Sequence, residues 1–301
     1  MLNILKSIKL SGIQIASCLK NRKLRVKQLL PLHQRINNSG DYVKNMDIVA
    51  NKIFLENLST ENSIYELISE EEDKGIVINY LGNYIVSFDP LDGSNNIDSN
   101  DPLGSLFCIF EKNTKVISGR NIVAAGYIYY GVNTELVLAM NNNVQHYTYS
   151  DTLKCFVNNY FNYLDDEISS TLKIPVEGQY YCHNDGNNHE LPENKIKEFL
   201  GLLMWTKKLR YSGCLVSDFH RILLNGGCFL YPANKNNKNG KIRLIYEAYP
   251  IAYITEMAGG YSRFDESQNS ILDISFPYED IHKKIPVLFM GESENNIFNK
   301  L

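Results

Sequence analysis

The run Tyr84-Ile85-Val86-Ser87-Phe88 leads directly into Asp89-Pro90-Leu91-Asp92-Gly93-Ser94. β-Branched and aromatic residues favour extended chain, and a proline followed by Asp-Gly forces a turn. A strand therefore delivers acids to a turn. Asp89 and Asp92 are three apart with Pro90 fixing φ between them, so both carboxylates and the Leu91 carbonyl can converge on one hard cation. Gly93 lets the backbone bend closely enough for successive N–H groups to face an anion, and Ser94 adds a hydroxyl. Taken alone, the same run also fits a plain surface turn.

The chain has 301 residues with 44% hydrophobic composition, enough to bury a large core in one α/β domain or two fused halves. No linker-like stretch separates those halves, which are expected over 1–150 and 151–301. The formal net charge of −4 argues against nucleic-acid or acidic-membrane partners, which select clustered Lys and Arg. No apolar run approaches the ~20 residues of a membrane span. The six cysteines, Cys18, Cys108, Cys155, Cys182, Cys214 and Cys228, form no CxxC pair or zinc spacing, and most sit in apolar stretches. A reducing, cytoplasmic setting is expected.

Apolar periodicity predicts helices over roughly 3–35, where Ile4, Leu5, Ile8, Ile15 and Leu19 mark one face, and over 44–58, through Met46, Val49, Ile53 and Phe54. Short strands are predicted at 64–69, 76–78, 84–88, 106–110, 122–130, 135–140 and 144–148. The second half reads as helices near 193–204, 217–225 and 249–258, strands at 229–231 and 287–290, and a terminal helix. The asparagine patches at 141–143 and 234–239 read as exposed loops. His220 and Trp205 read as structural residues.

Further segments accompany the acidic turn. They are Ser69-Glu70-Glu71-Glu72-Asp73-Lys74, Arg120-Asn121-Ile122-Val123-Ala124-Ala125-Gly126-Tyr127, Ser217-Asp218-Phe219-His220-Arg221, Gly226-Gly227-Cys228-Phe229-Leu230-Tyr231-Pro232, and Gly240-Lys241-Ile242-Arg243-Leu244-Ile245-Tyr246-Glu247. In this order, over nearly the whole chain, they resemble the fructose-1,6-bisphosphatase family within the wider superfamily of magnesium-dependent sugar and inositol phosphatases. The resemblance implies a layered α-β-α-β-α sandwich.

It also implies a reaction, the hydrolysis of the 1-phosphate of a sugar bisphosphate. Uncatalysed phosphomonoester hydrolysis is so slow that enzymes accelerate it by up to ~10²¹-fold, and oxygen-bound divalent ions suit that task. By resemblance, Glu70, Asp89, the Leu91 carbonyl, Asp92 and Glu247 hold two or three Mg²⁺ ions, with Asp41 on a mobile third one and Mn²⁺ or Zn²⁺ as substitutes. Asp47 and Glu71 are the matching general bases. Asp92, Gly93 and Ser94 meet the reacting phosphate. Asn184, Tyr211, Tyr231 and Lys241 hold the far phosphate, joined by Arg210 from a neighbouring subunit of a dimer or tetramer.

Two positions depart from the family pattern, Asn95 for a second serine after Asp-Gly-Ser and Asn187 for a tyrosine three residues beyond Asn184. Both keep hydrogen-bonding capacity. A sedoheptulose bisphosphatase differs by one carbon of reach and stays open as an alternative, as does a non-catalytic sugar-phosphate binder. Inositol monophosphatase is disfavoured, since Tyr246-Glu247-Ala248-Tyr249-Pro250 stands where its Trp-Asp-x-x-Ala would be. Poor sensitivity to AMP is also expected. The nucleotide-phosphate turn precedes the aligned region, and the family's Lys-Tyr pair and following Arg appear as Asn83-Tyr84 and Glu111.

Overall fold

The computed structural model describes all residues except 22–41, 113–116, 160, 163–166, 169–170, 192–194, 265 and 267. Helix α1 (Leu2–Asn21) buries Ile4, Leu5, Ile8, Ile15 and Leu19, the face its spacing predicts. The expected continuation to residue 35, and Asp41 with it, lies outside the described residues. Helix α2 (Tyr42–Leu58) packs on α1 and buries Met46, Ala50, Phe54 and Leu58.

Strands β1 (Ile64–Ser69), β2 (Ile76–Val77), β3 (Tyr84–Asp92), β4 (Leu103–Glu111), β5 (Ile122–Tyr130), β6 (Thr134–Met140), β7 (Asn143–Ser150) and β8 (Cys155–Asn158) form one sheet. Its order is β2-β1-β3-β4-β5-β6-β7-β8, with β1 parallel to β3 and the remaining pairs antiparallel. The tight β6-β7 turn places Asn141 and Asn142 at φ 51° and 57°, a conformation asparagine tolerates. A two-stranded antiparallel pair, β9 (Phe161–Asn162) and β10 (Glu167–Ile168), follows.

The second half holds β11 (Tyr180–Cys182), α3 (Lys195–Thr206), β12 (Lys208–Leu209), α4 (Leu215–Asn225), β13 (Gly227–Tyr231) and β14 (Ile242–Arg243). A π-helical turn over Leu244–Ala248 feeds α5 (Tyr249–Met257), then β15 (Tyr261–Arg263), β16 (Lys284–Ile285), β17 (Val287–Met290) and α6 (Glu292–Lys300). The second sheet runs β12-β11-β13-β17-β15, and β14 pairs with β16 apart from it.

Period-two alternation sends the two faces of each strand into different cores. On β4, Leu106, Cys108 and Phe110 join α4 and α5 in a central core, whereas Leu103, Phe107 and Ile109 join α1 and α2 on the other face. On β13, Phe229 and Tyr231 face the same central core, while Cys228 and Leu230 meet α3 and α6. The layers are therefore helix, sheet, helix, sheet, helix. Among the described residues no helix is long and apolar enough to cross a membrane.

Three expectations need correction. The strand predicted to stop at Phe88 continues to Asp92 after a register shift between Asp89 and Asp92, which absorbs the missing Pro90 donor, so the two acids belong to the strand end itself. Asn234 is only 6% exposed, because its side chain accepts from the N–H groups of Asn236 and Asn237 and closes the loop as a cap. Trp205 is 91% exposed, so it contributes nothing to the core of this chain.

Candidate active site

The acidic turn, the end of β1, helix α2 and the π-turn meet at one cleft. Asp47, Glu70, Glu71, Asp89, Leu91, Asp92, Gly93, Ser94 and Glu247 line it, together with Tyr211, Tyr231 and Lys241. Beyond the end of β1, Glu70 keeps the parallel ladder going by donating its N–H to the Phe88 carbonyl at 3.1 Å. On β3, Leu91 donates its N–H to Asp89 Oδ1 at 2.9 Å, and Ser105 Oγ donates to the Pro90 carbonyl at 2.7 Å. These bonds fix the turn on both sides of Pro90.

Gly93 has φ +79°, where an added Cβ would lie 2.7 Å from Cys214 Cβ. Only glycine fits both the left-handed backbone and the close approach of α4. The chain then winds into a short 3₁₀ turn over Ser94–Asn96, pinned by Asn96 Nδ2 to the carbonyls of Pro102 and Ser212.

Glu247 reaches the same place by a different device. In the π-turn the Tyr249 N–H bonds to the Leu244 carbonyl, five residues back, and Ser87 Oγ on β3 donates to the Ile245 carbonyl at 2.7 Å. Such single-turn insertions recur at functional sites. One carboxylate oxygen from each of Glu70, Asp89 and Glu247 lies within 4.8 Å of the others.

Gathering buried carboxylates raises their affinity for protons. Burial, then the charges of Glu70, Asp92 and Glu247, push the Asp89 carboxyl well above the usual range. Burial and Glu70 push Glu247 up to about 8, against the N–H and guanidinium of Arg243. Asp92 rises to about 6 through burial, resisted by the Val216 N–H at 2.7 Å and the Cys214 thiol at 3.0 Å. Burial and the neighbouring Glu71 lift Asp47 to about 7, against a bond from Ser94. Burial and Glu70 also raise Glu71.

The same cleft also carries cationic and hydroxylated side chains. Lys241 follows Gly240, whose φ of +74° turns β14 toward the cleft, and its Nζ stands 5.9 Å from the Tyr231 ring centre. Asn184 does not line the cleft but hydrogen-bonds the Tyr211 hydroxyl. The Arg210 side chain is exposed, lying over the Tyr180 ring at 5.5 Å and donating to the Leu209 carbonyl. Asn187 donates its N–H to the Asn184 carbonyl at 2.9 Å.

The sequence reading missed three contributors. Arg243 Nη1 lies 2.7 Å from Glu70 Oε1, and its backbone N–H donates to Glu247. Asp218 on α4 accepts the Ser212 N–H at 2.9 and 3.1 Å, which holds the loop beside Tyr211. Cys214 caps α4 and touches Asp92. Their signal was faint, since an arginine in Ile242-Arg243-Leu244 looks like any strand cation.

Comparison with known proteins places this architecture. The family "Fructose-1-6-bisphosphatase, N-terminal domain" matches residues 1–160, and its C-terminal counterpart matches residues 174–299. The chain is 37% identical to rat fructose-1,6-bisphosphatase 1, covering 93% of this chain and 78% of that protein. It is 35% identical to the class 1 enzyme of a Sulfurihydrogenibium species, over 91% of this chain and 83% of the relative. The crystal structure of Leishmania major fructose-1,6-bisphosphatase in holo form superposes with a TM-score of 0.85 and 30% identity, covering 99% of this chain and 92% of the other. Both halves match, the five layers coincide with the α-β-α-β-α sandwich of those structures, and the chain belongs to the fructose-1,6-bisphosphatase family of phosphoric monoester hydrolases.

Proposed function

We propose that the protein hydrolyses the 1-phosphate of fructose 1,6-bisphosphate in a Mg²⁺-dependent reaction, giving fructose 6-phosphate and inorganic phosphate. The observation that carries this reading is the convergence of Glu70, Asp89 and Glu247 in a cleft that Lys241, Tyr211 and Tyr231 also line. The donor set fits a hard divalent cation, because every donor is an oxygen and the buried acids lack enough positive charge of their own. Glu70, Asp89, the Leu91 carbonyl, Asp92 and Glu247 would hold it, with Asp41 as a further ligand. Bound ions would neutralise phosphoryl charge and lower the pKa of an attacking water.

The chain's own groups do the rest. Asp47, titrating at about 7, is poised to accept the proton of the attacking water, with Glu71 beside it. The Gly93 turn and the Ser94 hydroxyl orient the reacting phosphate. Lys241, Tyr211 and Tyr231 hold the second phosphate, and Asn184 positions the Tyr211 hydroxyl. The outward Arg210 suits a contact with the cleft of a neighbouring subunit in a dimer or tetramer. The six free cysteines suit a reducing cytoplasm.

Phosphate release from fructose 1,6-bisphosphate, sedoheptulose 1,7-bisphosphate and inositol 1-phosphate, with and without Mg²⁺, tests the reading. Fructose 1,6-bisphosphate should turn over fastest and stop with chelator. Preference for the seven-carbon sugar would move the assignment to that substrate, and binding without release would make the protein a sensor.

Weak inhibition by AMP belongs to the same proposal. Asn83 and Glu111 are exposed at one end of the β3-β4 pair, where Tyr84 faces Glu111. The adjacent Lys112 lies over the Tyr65 ring at 3.6 Å and donates to the Tyr80 carbonyl. A neutral amide and a carboxylate offer a nucleotide phosphate little attraction. Strong inhibition that is non-competitive with the sugar would overturn this part.

A further inference from the structure

A second convergence of metal-type donors lies outside the cleft, and its chemistry differs. Glu135 on β6, His146 on β7 and His220 on α4 bring one oxygen and two nitrogens within 4.8 Å of one another. Glu135 Oε2 is 2.7 Å from His146 Nε2 and 3.2 Å from His220 Nε2. The strand register pairs Val137 with His146 and Glu135 with Thr148, so Glu135 and His146 meet diagonally on one sheet face, as long side chains can. The two imidazole centres stand 5.4 Å apart, and the Tyr129 ring stacks on His220 at 4.9 Å.

Two features go beyond an ordinary ionic contact. Both imidazoles aim Nε2 at the same carboxylate oxygen, and the other nitrogen of His220 lies 2.8 Å from the hydroxyl of the fully buried Tyr127. An imidazole with one nitrogen directed inward and the other fixed by an outer partner is the usual dressing of a metal ligand. The His146, His220 and Glu135 side chains are also only 8%, 10% and 17% exposed, shielded from bulk water but not sealed from it. Bonds from His146 and then His220 hold the Glu135 carboxyl well below the usual range, so the acid stays anionic.

We propose that Glu135, His146 and His220 form a second metal site, selective for a borderline divalent cation of the zinc class, that ties α4 to β6 and β7. Two imidazoles and one carboxylate are a recognised zinc donor set, whereas Mg²⁺ prefers all-oxygen sites such as the acidic cleft. With both imidazoles uncharged, metal entry beside the Glu135 carboxylate needs no net loss of protons. Each imidazole carries its proton on Nδ1 instead of Nε2, and His220 Nδ1–H then donates to the Tyr127 oxygen. The ion would brace the helix whose Val216 N–H holds Asp92.

The test titrates metal-free, full-length protein with Zn²⁺ in the presence of excess Mg²⁺ and compares wild type with His146→Gln. Wild type should bind one more Zn²⁺ per subunit than the variant, and its Tm should rise by several degrees more. Zinc-edge anomalous diffraction from wild-type crystals should show a peak between the three side chains. Equal stoichiometry in both proteins, or no peak there at saturating Zn²⁺, overturns the proposal. If His146→Gln folds poorly, Glu135→Gln replaces it, and the anomalous map on wild type decides without any variant.

Discussion

Arg243 holds two of the cleft acids at once, with its guanidinium 2.7 Å from Glu70 Oε1 and its backbone N–H on Glu247. The side chain is therefore a built-in cation that competes with any ion for Glu70. We expect Arg243→Met to lower the stability of metal-free protein by about 1–3 kcal/mol, the worth of a partly exposed charged hydrogen bond. The Tm rise on adding Mg²⁺ should be larger in the variant, because no guanidinium has to be displaced. An equal or smaller rise in calorimetry would show that the two cations do not compete.

Stability of the metal-free protein should depend on pH with a definite sign. Asp92 at about 6, Asp47 at about 7 and Glu247 at about 8 all lie above unfolded carboxyls near ~4. The folded state thus binds more protons across that window, and stability falls as pH rises from about 4 through about 8. Thermal melts in chelator at pH 5, 6, 7 and 8 should show this decline. Glu247→Gln should flatten its upper end, and a wild-type Tm rising over the same range would contradict the assignment.

Binding and chemistry should separate across the cleft. Lys241→Ala is expected to raise KM about 10- to 100-fold, equivalent to ~1.5–3 kcal/mol for a charged hydrogen bond, with kcat little changed. Asp92→Ala should instead lower kcat by several orders of magnitude, and Glu71→Gln should slow the chemical step while metal binding persists. Steady-state kinetics with fructose 1,6-bisphosphate distinguishes these patterns. An unchanged KM in Lys241→Ala would return that lysine to the status of a loop residue.

Gly93→Ala probes the turn itself. The left-handed backbone costs a Cβ about 1–2 kcal/mol, and the contact with Cys214 at 2.7 Å adds to it. We expect a lower urea midpoint together with a loss of turnover. Full activity and an unchanged midpoint would mean that the turn relaxes freely.

Much of this molecule was legible in its sequence, and the reasons differ by element. The buried face of α1 and the boundaries of β5 and β17 follow from strong periodicity and β-branched runs that tertiary contacts do not override. Strand β11 went unseen because three residues between irregular segments carry no period. Spacing links Asp89 and Asp92 on β3, but Asp47 on α2, Glu70 just past β1 and Glu247 in the π-turn share no spacing with them, so only the family resemblance grouped the set. Glu135, His146 and His220 share no spacing, and although His220 stands in one of the family-like segments nothing there points to a ligand, since β6, β7 and α4 meet only in the folded chain.

The π-turn has one residue more than an α-helical turn accommodates. A chain one residue shorter between Leu244 and Ala248 would run as regular α-helix into α5, with every backbone bond in its ordinary place. Each residue of helical register is about 100° of rotation, so Glu247 would then look elsewhere. The aim of that carboxylate is stored in a length. Substitutions that preserve the length leave it intact, whereas a single-residue deletion would erase it with the glutamate still present in the sequence.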